Sequence, residues 1–252
     1  MPPTPPTPQH TFNFLGGKMQ EPLPLPAGLE PRAIPDKGYI VEPIADDVYF
    51  VTEGSYCTMF VVTSEGVVLV DTPPSFGGNL AAAVAEVTDQ PIKYMIYSHS
   101  HVDHVGAAGE LDPEAVTLVG TPALEDQLVG AGDPRRPVPT KIVPDGGTLA
   151  VGGVDIVLKS VKGAHDLGST IIYLPGRKVL MLVDLVAPGW APFPCAPSRH
   201  AAVPRAACVR SPEQGPAARL HTLGLGAVAH TRMHQHVPHR LGTRASTLPV
   251  AT

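Results

Sequence analysis

The sequence predicts an α/β fold, a sandwich of strands and helices, on three observations. Between Asp36 and Pro194, short runs rich in Val, Ile, Leu, Phe and Tyr are separated by Gly, Asp and Pro, the punctuation of successive strands. Residues 79–89 instead place Leu80, Ala83, Val84 and Val87 at i, i+3, i+4 and i+7, the apolar stripe of a surface helix. With 252 residues, 43% of them apolar, the chain can bury one core of ordinary domain size.

Taken in order, DVYFVTEG (47–54), YCTMFVVTSEG (56–66) and VVLVDTPP (67–74) read as three strands joined by tight turns, an antiparallel meander whose third strand closes at Asp71. The helix over NLAAAVAEVTD (79–89) follows, with Asn79 as its cap. IKYMIYSHS (92–100) is a buried strand, VTLVG (116–120) another, and ALEDQLVGAG (123–132) a second helix. GTLAVGGVDIVLKSV (147–161), STIIYLPG (169–176) and KVLMLVDLV (178–186) supply the remaining strands. Cys57, inside an apolar strand, reads as a small core residue.

Both ends of the chain differ from this core, and the sequence divides into segments 1–35, 36–194 and 195–252. Ten of the thirty prolines precede Asp36, so residues 1–35 read as an extended, flexible arm. Up to Pro194 there are 22 acidic residues against 11 Lys and Arg; from Cys195 onward there is one acid, Glu213, against seven arginines, with six of the eleven histidines. A basic, disordered His/Arg/Pro-rich tail has this composition, and so does the product of a GC-rich gene read in a shifted frame.

A net charge of −5 argues against sequence-independent nucleic-acid binding, which depends on Lys and Arg neutralising phosphates. No apolar run reaches the ~18–20 residues that span a bilayer, and the first residues have neither a basic nor an apolar signal region. Three widely spaced cysteines, Cys57, Cys195 and Cys208, make no disulfide framework. These features predict a cytoplasmic protein acting on a small molecule, with no nucleic-acid or membrane partner; they leave its oligomeric state open.

The chemistry lies where the strand over 92–100 ends. There the chain reads His99-Ser100-His101-Val102-Asp103-His104, three imidazoles and a carboxylate within six residues. Such donors at a strand exit suit zinc, since a catalytic zinc takes three protein ligands and keeps one position for water.

HSHVDH resembles the His-x-His-x-Asp-His signature of the metallo-β-lactamase superfamily, and the match in motif order extends over residues 40–190. The resemblance implies an αββα four-layer sandwich of two mixed sheets between helices, incomplete here at its C-terminus. It also implies that GAHDLGST supplies His165 as a third ligand and VLMLVDLV supplies Asp184. His99, His101 and His165 would then hold one metal, Asp103 and His104 a second, and Asp184 would bridge them. Read without the resemblance, His165 is a loop histidine and Asp184 a strand-end carboxylate. Asp71 orients a histidine or the motif turn, or simply ends its strand. The family pattern also requires a final histidine after a glycine, and His200, His221, His230, His234, His236 and His239 leave its identity open.

The function so implied is zinc-dependent hydrolysis, with one or two ions, of small ester, thioester, lactone or amide substrates by a metal-bound hydroxide. Asp103 would be the catalytic residue, holding the nucleophile and taking its proton. The alternatives are an iron-dependent, non-hydrolytic relative, since the same donors suit Fe, and an inactive metal-binding product with a damaged C-terminus.

Overall fold

The computed structural model describes residues 33–161 and 165–185, together with the backbone of residues 218–221 and 227–231. Seven strands form the first sheet in chain order: β1 (Ile40–Ala45), β2 (Val48–Thr52), β3 (Cys57–Thr63), β4 (Gly66–Val70), β5 (Ile92–Ile96), β6 (Thr117–Gly120) and β7 (Lys141–Ile142). The pairs from β1 to β4 are antiparallel and those from β4 to β7 parallel. This mixed order follows from the connections, because turns of two to four residues reverse the chain while a parallel return needs a crossover. The helices α1 (Asn79–Val87) and α3 (Pro122–Ala131) fill two of those crossovers, and the one-turn helix α2 (Val102–Val105) lies between them in the chain.

The second sheet is antiparallel throughout, in the order β12 (Ala218–His221), β13 (Ala227–Thr231), β11 (Val179–Leu182), β10 (Thr170–Leu174), β9 (Val154–Ser160), β8 (Gly147–Val151). One of the two sheets is therefore mixed, not both. The β8–β9 turn shows why its sequence is Gly152-Gly153: both residues have positive φ, 50° and 84°, and a Cβ on Gly152 would stand 2.5 Å from Thr63 Oγ1.

Alternation along the strands builds two cores. On β4, Val68 and Val70 face the second sheet, joining Phe50, Met59, Ile156, Leu158, Ile172 and Met181 in an inter-sheet layer, with Cys57 among them. Val67 and Leu69 face the other way, onto Leu80, Ala83 and Val84 of α1 and Leu124 and Leu128 of α3. A strand buried on both faces must be apolar without interruption, and GVVLV is. The order helix, sheet, sheet is thus explicit, with the sheets' shared core at its centre. Among the described residues no helix covers the outer face of the second sheet.

Further details differ from the sequence reading, which has no counterpart of the two-residue strand β7. Asn79 does not cap α1: Gly78 holds the N-cap position, with no side-chain cap bond, and Asn79 is the first helical residue. β1 has no counterpart in that reading because Pro43 interrupts its run; the strand lies at the sheet edge, where a missing N–H is tolerated, and its register shifts between Pro43 and Ala45. Within residues 195–252, β13 pairs with β11, and β12 with β13, by backbone hydrogen bonds. The rest of that segment, most of the 1–35 arm, and His200, His234, His236 and His239 lie outside the described residues, as do the side chains of His221 and His230.

Candidate metal centre

The parallel pairing of β4 with β5, and the antiparallel pairing of β10 with both β9 and β11, bring the C-terminal ends of four strands to one edge of the sandwich. Asp71 follows β4, His99 to His104 follow β5, His165 lies between β9 and β10, and Asp184 follows β11. The sheets are joined at this edge by the Thr170 N–H, which donates to the Ser98 carbonyl at 2.7 Å.

All six sequence-predicted ligands come together here. The His99 ring lies 4.7 Å from that of His101, 4.6 Å from His104 and 5.1 Å from His165, centroid to centroid. Asp184 Oδ2 sits among the nitrogens, 3.7 Å from His99 Nε2, 3.1 Å from His104 Nε2 and 3.2 Å from His165 Nε2. Potential ligand atoms of His99, His101, His165 and Asp184 all lie within 4.8 Å of one another. Asp103 Oδ2 approaches His104 Nε2 at 3.7 Å, so the two carboxylates both address that nitrogen.

These residues fit a metal. His99 Nε2, both ring nitrogens of His104 and Asp184 Oδ1 are buried with no hydrogen-bond partner among the described residues. The 3.1 Å approach of His104 Nε2 to Asp184 has the distance of an ion pair without the alignment of a hydrogen bond. Buried polar atoms left unpaired are costly, and a cation facing these lone pairs would satisfy them. His99, His104 and Asp184 form a buried floor, whereas the side chains of His101 and Asp103 are 44% and 45% exposed, so the site opens on one side.

The electrostatics follow from burial and crowding. His99 is held well below the usual imidazole pKa, first by burial and then by repulsion from His104. His101 is lowered by burial and by His165. Burial also opposes the charged form of His104, but the carboxylates of Asp184, Asp71 and Asp103 together outweigh it and the net shift is upward. Asp184 itself is pushed up by burial and, more strongly, held below the carboxylate range by His104 and His165. Two ligands are therefore prepared as neutral donors and one carboxylate as an anion.

Of the neighbours, Asp71 is marked in the sequence by its strand-end position, whereas Ser98, Tyr56, Ser100 and Asp166 have no signal there. The Ser98 hydroxyl is 2.8 Å from His99 Nδ1, and with the proton on Nδ1 the Nε2 lone pair faces the site. Asp71 acts on the turn that carries the motif: its Oδ1 accepts the Ser98 N–H at 2.7 Å, and burial raises its carboxyl to about 6 against the opposing pull of His104. It stands with His99 and His104 in a second group whose potential ligand atoms lie within 4.8 Å. Tyr56, at the β2–β3 turn, donates its hydroxyl to Asp103 Oδ2 at 3.1 Å and sets its ring edge-on to His104, 5.1 Å away. Burial and then Asp103 push the phenol up to about 12, so it stays a donor. Asp166, next to His165, receives two hydrogen bonds from Ser100.

Comparison with known proteins agrees with this geometry. The family model described as "Metallo-beta-lactamase superfamily" matches residues 52–203. The alpha subunit of 2,4-dinitroanisole O-demethylase from Nocardioides sp. (strain JS1661) is 24% identical over 152 residues, 59% of this chain and 46% of that protein. The chain thus spans about half the length of that curated relative. Among solved structures, metallo-beta-lactamase IND-7 superposes with a TM-score of 0.50 at 22% identity, covering 57% of this chain and 70% of that one. A metallo-beta-lactamase from Pontibacter korlensis gives 0.50 at 23% identity, covering 56% and 69%. At these identities the structural likeness is one of fold.

Proposed function

The chain belongs to the metallo-beta-lactamase superfamily, and from that premise we propose that it is a zinc-dependent hydrolase of small ester, thioester, lactone or amide substrates. The observation that supports this most is the position of Asp184 Oδ2, within 3.1 to 3.7 Å of the Nε2 atoms of His99, His104 and His165. His99, His101 and His165 would hold one ion, Asp103 and His104 a second, and Asp184 would be shared.

Zinc bound there supplies Lewis acidity and a water whose pKa is lowered to ~7. The protein's own residues do the rest. Asp103, at the open side, orients the attacking water and accepts its proton on a carboxylate oxygen, while Tyr56 keeps that carboxylate in place through Oδ2. His101 and His165 face the opening through which substrate enters, and the buried His99, His104 and Asp184 keep bulk water from the floor. Attack forms a bond from the water oxygen to the acyl carbon; the bond to the leaving oxygen, sulfur or nitrogen then breaks, and that atom takes up the proton.

We place this chemistry in the cytoplasm, on the cysteine pattern of the sequence. No helix among the described residues is long and apolar enough to cross a membrane. The O-demethylase relative supports a second reading, in which the site cleaves a methyl ether and holds iron, which the same donors suit. Elemental analysis of the purified chain, with turnover of p-nitrophenyl acetate and of a methyl aryl ether, separates the two. Zinc with ester hydrolysis supports the first, iron with ether cleavage the second, and no turnover with either metal overturns both.

A further inference from the structure

We infer that Asp166 is a positioning residue that latches the two ligand-bearing segments together through Ser100, so that metal affinity depends on a serine that ligates nothing. Ser100 stands between His99 and His101 on the segment leaving β5; Asp166 follows His165 on the segment between β9 and β10. The ligands thus come from opposite sheets, about 66 residues apart in the chain, and their spacing must be set by something other than chain connectivity.

The contacts of Asp166 divide by oxygen atom. Oδ1 accepts the Gly168 N–H at 2.6 Å and shapes its own loop. Oδ2 reaches across to the other segment, accepting both the Ser100 N–H at 3.1 Å and the Ser100 hydroxyl at 2.5 Å. The Asp166 N–H is itself donated to Ser169 Oγ at 3.1 Å, and the residue is only 8% exposed, so the carboxylate cannot swing away freely. On the far side, Arg136 Nη1 donates to the Ser100 carbonyl, and Arg136 is anchored by Asp133 at 3.1 Å. The backbone and hydroxyl of Ser100 are therefore all engaged, and the flanking histidines inherit its position. Asp166 Oδ2 also stands 3.8 Å from His101 Nε2, on the side away from the Nδ1 that lies 3.0 Å from His165 Nε2.

A latch of charge-assisted hydrogen bonds fixes ligand spacing before a metal arrives, which spares binding the cost of ordering two segments. This inference rests on the metal-binding reading above, and the test keeps the two apart. Zinc affinity of the full-length chain is measured by competition with a chromophoric chelator. Ser100→Ala removes the hydroxyl and leaves the Asp166 loop turn intact; it is expected to weaken zinc about tenfold, and Asp166→Asn by about 10- to 100-fold. Ser100→Thr, which keeps a hydroxyl, restores the affinity, and the double variant Ser100→Ala/Asp166→Asn binds no more weakly than Asp166→Asn alone. The melting temperature of metal-free Ser100→Ala stays close to that of the parent. Parent-like affinity in Ser100→Ala, failure of Ser100→Thr to restore it, or additive losses would overturn the latch. If the parent chain binds no zinc, the metal reading fails and the latch is read from amide exchange in the metal-free protein. There Asp166→Asn should speed exchange at the Ser100 N–H about tenfold, as loss of one hydrogen bond to a charged acceptor implies; unchanged exchange would overturn it.

Discussion

The Tyr56 hydroxyl donates to Asp103 Oδ2 at 3.1 Å, joining the β2–β3 hairpin to the carboxylate at the mouth of the site. Asp103→Ala should keep the fold, because that side chain is 45% exposed, and lose at least about 100-fold in kcat, the scale of a positioned general base. Tyr56→Phe removes one hydrogen bond and should cost about 3- to 10-fold in kcat. With the phenol pushed up to about 12, that ratio should be flat from pH 6 to 9. Steady-state kinetics check both; parent-like turnover in Asp103→Ala would defeat its assigned role.

Replacing His99 and His101 together by Ala removes two of the three imidazoles that surround the first ion position. Exhaustive dialysis followed by elemental analysis should then find less than about a tenth of the parent's zinc, since loss of one ligand or its support already costs 10- to 100-fold in affinity. Metal content equal to the parent's would place the ion elsewhere.

Stability of the metal-free protein should carry the mark of His99, held down to about 3 by burial and by His104. Above pH 6.5 its ring is neutral whether the chain is folded or unfolded. As pH falls from 6.5 towards 3, the unfolded chain gains a proton that the folded one refuses, so stability is lost on acidification, by up to about 1.4 kcal/mol per pH unit. His99→Asn abolishes that uptake, and its urea midpoint should fall less steeply than the parent's between pH 6 and 4. Parallel slopes would contradict the shift. Asp71 works in the opposite sense over roughly pH 4 to 6, being easier to protonate when folded, so the comparison between variant and parent isolates His99.

In the layer between the sheets, Phe50 is fully buried beside Met59 and Ile156. Phe50→Ala should lower unfolding free energy by about 3–5 kcal/mol, transfer and cavity terms together. Chemical denaturation measures it, and a loss under 1 kcal/mol would mean that the core collapses around the gap.

What the sequence revealed was governed by period and proximity. The strands from β2 to β5 and the apolar face of α1 are local patterns, and each is found near its expected place. The six ligands could be named because five residues of spacing carry four of them and short motifs carry the other two. Tyr56, Ser100 and Asp166 act by hydrogen bonds that are made only when distant segments meet, Ser98 acts on the ring next to it, and a lone Tyr or Ser beside a strand has no pattern to mark it. Asn79 misled because a residue that favours caps sits one position inside its helix, after a glycine that takes the cap instead.

Asp71 and Asp184 share one further property: each ends a strand, one in either sheet, with φ at +56°, in the left-handed region where a side chain is strained. Glycine at either position would relax the backbone by about 1 kcal/mol while deleting a carboxylate from the metal centre. Selection for thermal robustness alone would therefore erode this protein's chemistry. A library screened only for heat resistance should accumulate Asp184→Gly in inactive survivors, whereas Asp71→Gly would leave the buried Ser98 N–H without its acceptor; retention of Asp184 in a lineage would be a record of selection for activity.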